Sequence, residues 1–328
     1  MTSTHDIQHI ETVVIGGGQA GLAAGCHLQR QRIPFVILDA NDRTGDAWRK
    51  RWDSLHIFTP AKFSHLPGVP YPGPGWSFPG KDEFADYLED YAARFDFDVR
   101  HRSRVESIER VGDRYLVTAG EQRFAADHVV LATGAYQEPR VPVFAPELDS
   151  GVLQLHSSAY RNPRQLQPGA ALVVGSGNSG AEIAIELAAE REVTLAGSKV
   201  PIFPVRPTSA AAHVVMPAFL FAAMHILTTK TPMGRRMQPQ AQHHAAPLVR
   251  VKPRDIAGVG VRQVGRVTGV EDGRPRLEDG TALDVANVIW CTGFRSDFSW
   301  VGLPSFAGEE PVHERGVIID EPGMYLVG

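Results

Sequence analysis

The sequence predicts an α/β protein made of two Rossmann-like dinucleotide-binding domains, one interrupting the other. Three observations carry that expectation. Near the start, "TVVIGGGQAGLAAGCHL" from Thr12 to Leu28 is an apolar run, a glycine-rich loop and a helical stretch. The same order returns in mid-chain as "ALVVGSGNSGAEIAIELA", from Ala171 to Ala188. Downstream of each, a strand-like run ends in a Thr-Gly turn, within "LATG" at Leu131–Gly134 and within "VANVIWCTGF" at Val285–Phe294.

Composition agrees. At 328 residues the chain holds two domains of ordinary size, and 43% hydrophobic with 21% charged residues is a globular balance. A net charge of −4 gives no general electrostatic case for nucleic-acid binding. The two cysteines, Cys26 and Cys291, form no CxxC pair, and no Cys/His spacing suits zinc. A redox-active disulfide and a metal site are therefore not expected. Two lone thiols and an N-terminus without a basic or apolar signal region point to the cytoplasm.

The elements follow in order. A strand near Thr12–Ile15, a helix near Ala20–Arg32 and a strand near Phe35–Asp39 make the first βαβ unit. The prolines of Phe58–Gly80 forbid a long helix or a central strand, and so long an irregular segment reads as the wall of a site. Lys81–Phe95 has helical period, with Phe84, Tyr87, Leu88 and Tyr91 on one face. Strand patterns follow at Val105–Arg110, Tyr115–Ala119, Arg123–Phe124 and Asp127–Ala132, and residues 135–168 are loop-rich. The second βαβ unit begins at Ala170 and returns near Glu192–Ala196. Thr208–Thr229 contains no formally charged residue, but its strongly apolar part, Val214–Leu227, is only 14 residues and includes Pro217. A membrane span needs roughly 20, so this reads as a buried helix packing the domains together. Contact with a membrane surface or a partner is the alternative. Gly260–Val270 and Arg274–Leu277 read as strands joined at "EDGRP", and "GMYLVG" is a closing strand.

The motifs carry the chemistry. Gly16, Gly18 and Gly21 satisfy G-x-G-x-x-G, with Gln19 and Ala20 opening the helix. In such a loop the first glycine makes the tight turn, the second admits a pyrophosphate, and the third lets helix pack on strand. Asp39, 23 positions after Gly16, stands where a carboxylate would bond a ribose hydroxyl. The second fingerprint is Gly175, Gly177 and Gly180, with Ser176, Asn178 and Ser179 between and around them. The same offset lands on Ser198, followed by Lys199. A carboxylate would repel a 2′-phosphate, whereas a hydroxyl and an ammonium hold one, so this site is expected to prefer NADP(H). Two sites of different character suggest a resident FAD and an NADPH that delivers hydride to it. The turns at Ala132, Thr133 and Gly134 and at Thr292 and Gly293 are expected to pass close to the cofactors.

On "VVIGGGQAGLAAGCHL", "ILDANDRTGDAWRKRWDSLHIFTP", "LPGVPYP", "LATGAYQEPRVP", "QLHSSAYRNP", "LVVGSGNSGAEIA", "TPMGRR" and "VIWCTGFRSDFSWV", the chain resembles the flavin-containing monooxygenase-like family of two-dinucleotide-binding-domain flavoproteins. Within it the resemblance runs to the bacterial branch linked to cation transport. The resemblance implies an FAD domain at residues 1–165 and 285–328, interrupted by an NADPH domain at 166–284. It implies that NADPH reduces the flavin, that O₂ adds to give a flavin hydroperoxide, and that this oxygenates a small organic substrate. It places Trp48 and Thr59 near the flavin, the backbone at Val105 near the adenine, and His156 and Tyr160 close to the nicotinamide cofactor.

Three departures from the family pattern bear on function. Gly151 lies five residues before His156 instead of four. Phe58 and Thr59 stand where many members carry an asparagine, which leaves fewer polar groups to stabilise a hydroperoxide. The family's glycine-containing turn and helix after the last strand do not follow Gly328, which implies a fragment or weakened FAD binding. Two alternatives therefore stand beside the monooxygenase: an FAD-dependent NADPH oxidase or reductase, and a non-catalytic dinucleotide-binding regulatory or partner protein.

Overall fold

The computed structural model describes residues 7–228, 231–236, 247–308 and 310–328. β1 (Ile7–Ile15) buries its second half, Thr12 to Ile15, completely. α1 (Gln19–Arg30) turns its small face, Gly21, Leu22, Gly25 and Cys26, inward. β2 (Phe35–Leu38) then pairs parallel with β1, from Thr12 opposite Phe35 to Ile15 opposite Leu38. α2 (Asp46–Arg49) is a single turn. Residues 58–80 are irregular, as their prolines require, apart from a 3₁₀ turn at Ala61–Phe63. α3 (Lys81–Arg94) buries Phe84, Tyr87, Leu88 and Tyr91 and fastens that segment with its tyrosines. Tyr87 Oη donates to Val69 O (2.8 Å) and accepts from Leu66 N–H (2.7 Å), and Tyr91 Oη donates to Pro67 O (2.7 Å).

β3 (Val99–Arg100) lies beyond β2. β4 (Ser107–Val111), β5 (Arg114–Ala119) and β6 (Gln122–Leu131) form an antiparallel meander, in which the two short strands expected at 123–132 merge into one. β6 runs parallel to β1 along its length, Ile15 opposite Leu131 at the far end. β7 (Glu138–Pro139) leads out of this sheet and β8 (Leu153–His156) enters a second one. There β9 (Ala171–Val174), α4 (Asn178–Leu187) and β10 (Val193–Ala196) repeat the βαβ unit. α5 (Ala212–His225) and α6 (Pro253–Gly258) follow.

The strand expected over 260–270 is split. β11 (Arg262–Val264) pairs parallel with β10, whereas β12 (Val267–Glu271) forms a hairpin with β13 (Arg274–Leu277). Asp272 and Gly273 between them have φ of 48° and 73°, the two positive values a type I′ turn needs. β14 (Asn287–Trp290) joins the second sheet, and β15 (Phe294–Arg295) pairs antiparallel with β7 on the way back. β16 (His313–Glu314), β17 (Val317–Ile318) and β18 (Met324–Leu326) complete the first sheet, with β18 parallel to the second half of β6.

The first sheet runs β16-β17-β18-β6-β1-β2-β3, with β5 and β4 on the other half of β6; the second runs β11-β10-β9-β14-β8 and is parallel throughout. β8 and β14 therefore belong with the second sheet, although the sequence reading places 153–156 and 287–290 with the first domain. The reason is that the chain crosses between sheets before β8 and after β14, at the β7–β15 ribbon. α5 also departs from expectation. Val214 is 73% exposed and Phe221 56%, so the helix packs by one side only. Among the described residues no helix is long and apolar enough to cross a membrane.

Candidate functional site

Both glycine loops are built on the same contact. Gly16 (φ 110°) lies against the carbonyl oxygen of Ala132, and Gly175 (φ 113°) against that of Cys291. A Cβ at either position would collide with that backbone. The third glycines close each loop on itself: a Cβ at Gly21 would strike Gly16 O, and one at Gly180 would strike Gly175 O. Each loop is thus wedged between its own helix and the Thr-Gly turn that ends a neighbouring strand, and only glycine fits.

Gly18 is different. A Cβ built there meets nothing within 4 Å, and its φ of −80° suits any residue. The protein itself does not demand a glycine at 18; a ligand brought against the backbone would. Neither α1 nor α4 has a side-chain cap or an acidic residue in its first turn. Their opening N–H groups and positive dipole ends thus suit a pyrophosphate, so the residues present fit a dinucleotide at each loop.

Asp39 is buried and already engaged. Its Oδ2 accepts from Gly17 N–H (2.9 Å), and Oδ1 accepts from the backbone and side-chain N–H of Asn41 (2.8 and 2.9 Å). The sequence gives this carboxylate a ribose as its partner; the structure shows it first holding the loop in shape. Gln19, at the start of α1, and the Ala132–Gly134 turn frame the mouth, with Thr133 Oγ1 accepting from Gln137 Nε2 (2.7 Å).

The second loop opens on a cavity of about 360 Å³ lined by Gly175, Ser176, Gly197, Ser198, Arg266 and Thr292, among others. Ser176 Oγ donates to Ser198 O, tying the loop to the end of β10. Ser198 and Lys199 are exposed. Sequence reasoning missed Arg266. It enters because β11 pairs with β10, which puts the residue two places past Val264 beside Ser198. No ion pair engages Lys199 or Arg266 among the described residues.

The two crossings meet in one cluster. His156 is buried; Nε2–H donates to Gly293 O (3.0 Å), and Nδ1 accepts from Ser158 N–H (3.2 Å). Burial holds its pKa below the ordinary value, so the ring is neutral and fixes the second Thr-Gly turn. It meets Phe294 edge-on at 4.9 Å, and the Arg51 guanidinium lies 4.7 Å from the Tyr136 ring centre. Gln137 staples the crossings, since its Oε1 accepts from Asp297 N–H (2.6 Å). Tyr160 is remote from the loop. It is fully buried and its Oη donates to Glu186 Oε2 (2.6 Å) in the last turn of α4, about 12 Å along the axis from Asn178. The resemblance implies a place beside the nicotinamide cofactor for Tyr160; here its hydroxyl is engaged in the core by Glu186. Trp48 meets Phe84 edge-on at 4.9 Å, Thr59 Oγ1 bonds Ser64 Oγ (2.8 Å), and Val105 packs on the first core.

One further pair ties the two halves. Glu182 on α4 accepts from Arg250 Nη1 (3.2 Å), which also donates to His56 O (3.4 Å), while the guanidinium lies 5.7 Å from the Phe78 ring centre. Burial pushes the Glu182 carboxyl up to about 7, with Arg250 opposing it. Burial likewise pushes the Cys291 thiol up to about 12, and both cysteines are free.

The comparisons agree with this geometry. The family model for pyridine nucleotide-disulphide oxidoreductases matches residues 13–214. The chain is 38% identical to a CzcO-like oxidoreductase of Geobacillus kaustophilus, over 98% of this chain and 92% of that one. It is 28% identical to the indole-3-pyruvate monooxygenase YUCCA1 of Oryza sativa, over 88% and 78% of the two chains. Among solved structures it resembles a flavin-containing monooxygenase from Stenotrophomonas maltophilia, with a TM-score of 0.79, 29% identity, and coverage of 98% and 90%.

Two predictions follow from this geometry. Gly18→Val changes the melting temperature little but weakens retention of a dinucleotide, whereas Gly16→Ala lowers the melting temperature through strain and collision. Glu182 supplies a pH test. A carboxyl whose folded pKa is raised contributes stability in full below about 4.5, and loses it as pH rises through about 7. Urea unfolding of wild type against Glu182→Gln is expected to show wild type losing about 3 kcal/mol relative to the variant across that window. A gap that does not change with pH refutes the assignment.

Proposed function

The chain belongs to the pyridine nucleotide-disulphide oxidoreductase family, and on that footing we propose that it is an FAD monooxygenase. In this reading NADPH reduces the flavin, and a small organic molecule is oxygenated with O₂. The observation that carries the reading is the pair of glycine loops, alike in backbone and unlike in charge. FAD is assigned to the first, where the open N-terminus of α1 receives the diphosphate and buried Asp39 shapes the loop and faces the adenosine ribose. NADPH is assigned to the second, where Ser198, Lys199 and Arg266 present a hydroxyl and two cations to a 2′-phosphate. The FAD domain then comprises residues 1–165 and 285–328 and the NADPH domain 166–284, with the strands at 153–156 and 287–290 moved to the latter.

Bound FAD supplies the redox chemistry, taking hydride from NADPH and passing electrons to O₂. The chain supplies the rest. His156 and Gln137 hold the two Thr-Gly turns, and residues 58–80 wall the substrate side. Similarity to the bacterial and plant monooxygenases supports oxygenation as the outcome. One observation favours an NADPH oxidase or reductase instead: Phe58 is exposed and the Thr59 hydroxyl is bonded to Ser64, so no asparagine-like amide faces the flavin side there.

Turnover of NADPH under ¹⁸O₂ with a panel of thioethers and ketones separates the two. Label in the organic product supports oxygenation; stoichiometric H₂O₂ without labelled product across the panel supports the oxidase. Protein that neither purifies with FAD nor takes it up overturns both. For cofactor choice, Lys199→Ala/Arg266→Ala is expected to lower the NADPH-over-NADH ratio of kcat/KM about 10- to 100-fold, the scale of one or two lost charged hydrogen bonds.

A further inference from the structure

The span from Val193 to Arg254 contains no aspartate or glutamate and eight Lys or Arg, while the rest of the chain carries 25 Lys or Arg against all 37 acids. α5 lies inside that span. Its inward side, Ala212, Met216 and Leu220, packs toward Phe203 and Val249. Its outward side, at the complementary helical spacing, is Val214, Ala218, Phe221 and His225, all exposed and none a lysine, arginine or acid. A helix on a protein surface should be polar there. Some of the span's cations are used internally: Arg206 pairs with Asp255 (2.6 Å), Arg250 with Glu182, and buried Lys252 donates to Phe203 O (2.5 Å). Arg235 and Arg236 are exposed in the corner after α5, next to Met233 at 58% exposure. That corner is held to the helix end, because Thr231 Oγ1 donates to Ile226 O and Thr231 N–H donates to Thr228 O (2.9 Å).

We propose that the outward side of α5 and the Arg235–Arg236 corner dock this protein on an anionic membrane surface. Fourteen residues make a helix of about 21 Å, short of the ~30 Å hydrocarbon core, so α5 lies in the interface rather than across it. Apolar side chains enter the acyl boundary, and the span from Val193 to Arg254 that carries α5 sets no carboxylate of its own against lipid phosphates. Two copies of this chain pressed together here would instead set cationic surfaces against each other. The inference is independent of which reaction the cofactors carry out.

The test is co-sedimentation of the full chain with vesicles. Wild type is expected to bind phosphatidylglycerol/phosphatidylcholine vesicles at least tenfold better than phosphatidylcholine alone, and to be released several-fold by about 0.5 M salt. Val214→Asp/Phe221→Asp is expected to lose at least tenfold in binding, and Arg235→Gln/Arg236→Gln several-fold, with melting temperature and soluble NADPH oxidation unchanged. Failure of wild type to bind the anionic vesicles overturns the proposal, as does wild-type binding by Val214→Asp/Phe221→Asp. A dimer in the ultracentrifuge that this variant dissociates, without vesicle binding by wild type, gives the face to a second copy and also overturns it.

Discussion

The structure depends on backbone packed against backbone at two points, Gly16 on Ala132 O and Gly175 on Cys291 O. Each contact brings three things together: the end of a central strand, the start of its helix, and the turn leaving the adjacent strand. Ala132 N–H donates to Ile15 O (2.8 Å), and Cys291 N–H to Val174 O (2.7 Å), so the adjacent strands are locked in register up to the contact. A side chain at either glycine would push the turn away and widen the mouth at the bare N–H groups that suit a phosphate. Packing and cofactor recognition thus impose the same requirement on the first glycine and separate at the second.

The two Thr-Gly turns have a further consequence. Because both sit at loop mouths, the chain can leave one sheet and return to it only beside the dinucleotide sites. The β7–β15 ribbon is that passage. Its fasteners among the described residues are polar and include Gln137, neutral His156, Arg51 between aromatic rings, and the Arg295–Glu138 pair across the ribbon. A neutral imidazole suits the task, since it gives one N–H to a carbonyl and accepts one N–H without placing an unpaired charge under Phe294.

What was legible in the sequence follows from which forces act locally. Glycine positions are dictated by backbone geometry within a few residues, so both loops, both Thr-Gly turns and the Asp272-Gly273 hairpin could be read directly. The inward face of α3 was likewise readable from its period. Arg266 was not, because its place beside Ser198 depends on β11 pairing with β10 across an intervening stretch of more than 60 residues. β14 reads equally well in either domain, since a strand buried on both faces carries no mark of its sheet, and β8, an edge strand only partly buried, lies in the stretch that reads as loop. Tyr160 shows the same limit: its position near a family signature was visible, but its bond to Glu186 depends on how α4 is turned. The apolar run at 214–227 gave a helix but not its exposure, because a segment apolar on every side has no pattern to say which side is covered.

Residues 58–80 draw these strands together. They are held from one side by Tyr87 and Tyr91 of α3, and from the other by Arg250, whose guanidinium lies 5.7 Å from the Phe78 ring centre while paired to Glu182 on α4. Phe63 and Trp76 of the same segment pack on the cluster beneath α5, and Trp76 stacks on His213 at 4.1 Å. This segment is therefore not a loop of one domain. It is fixed by a helix of the first sheet, a helix of the second, and the surface helix α5. The Glu182–Arg250 pair links α4 to His56 O, and His213 of α5 lies directly on Trp76. Helices of both sheets and α5 thus pack on the same proline-rich segment and its immediate surroundings.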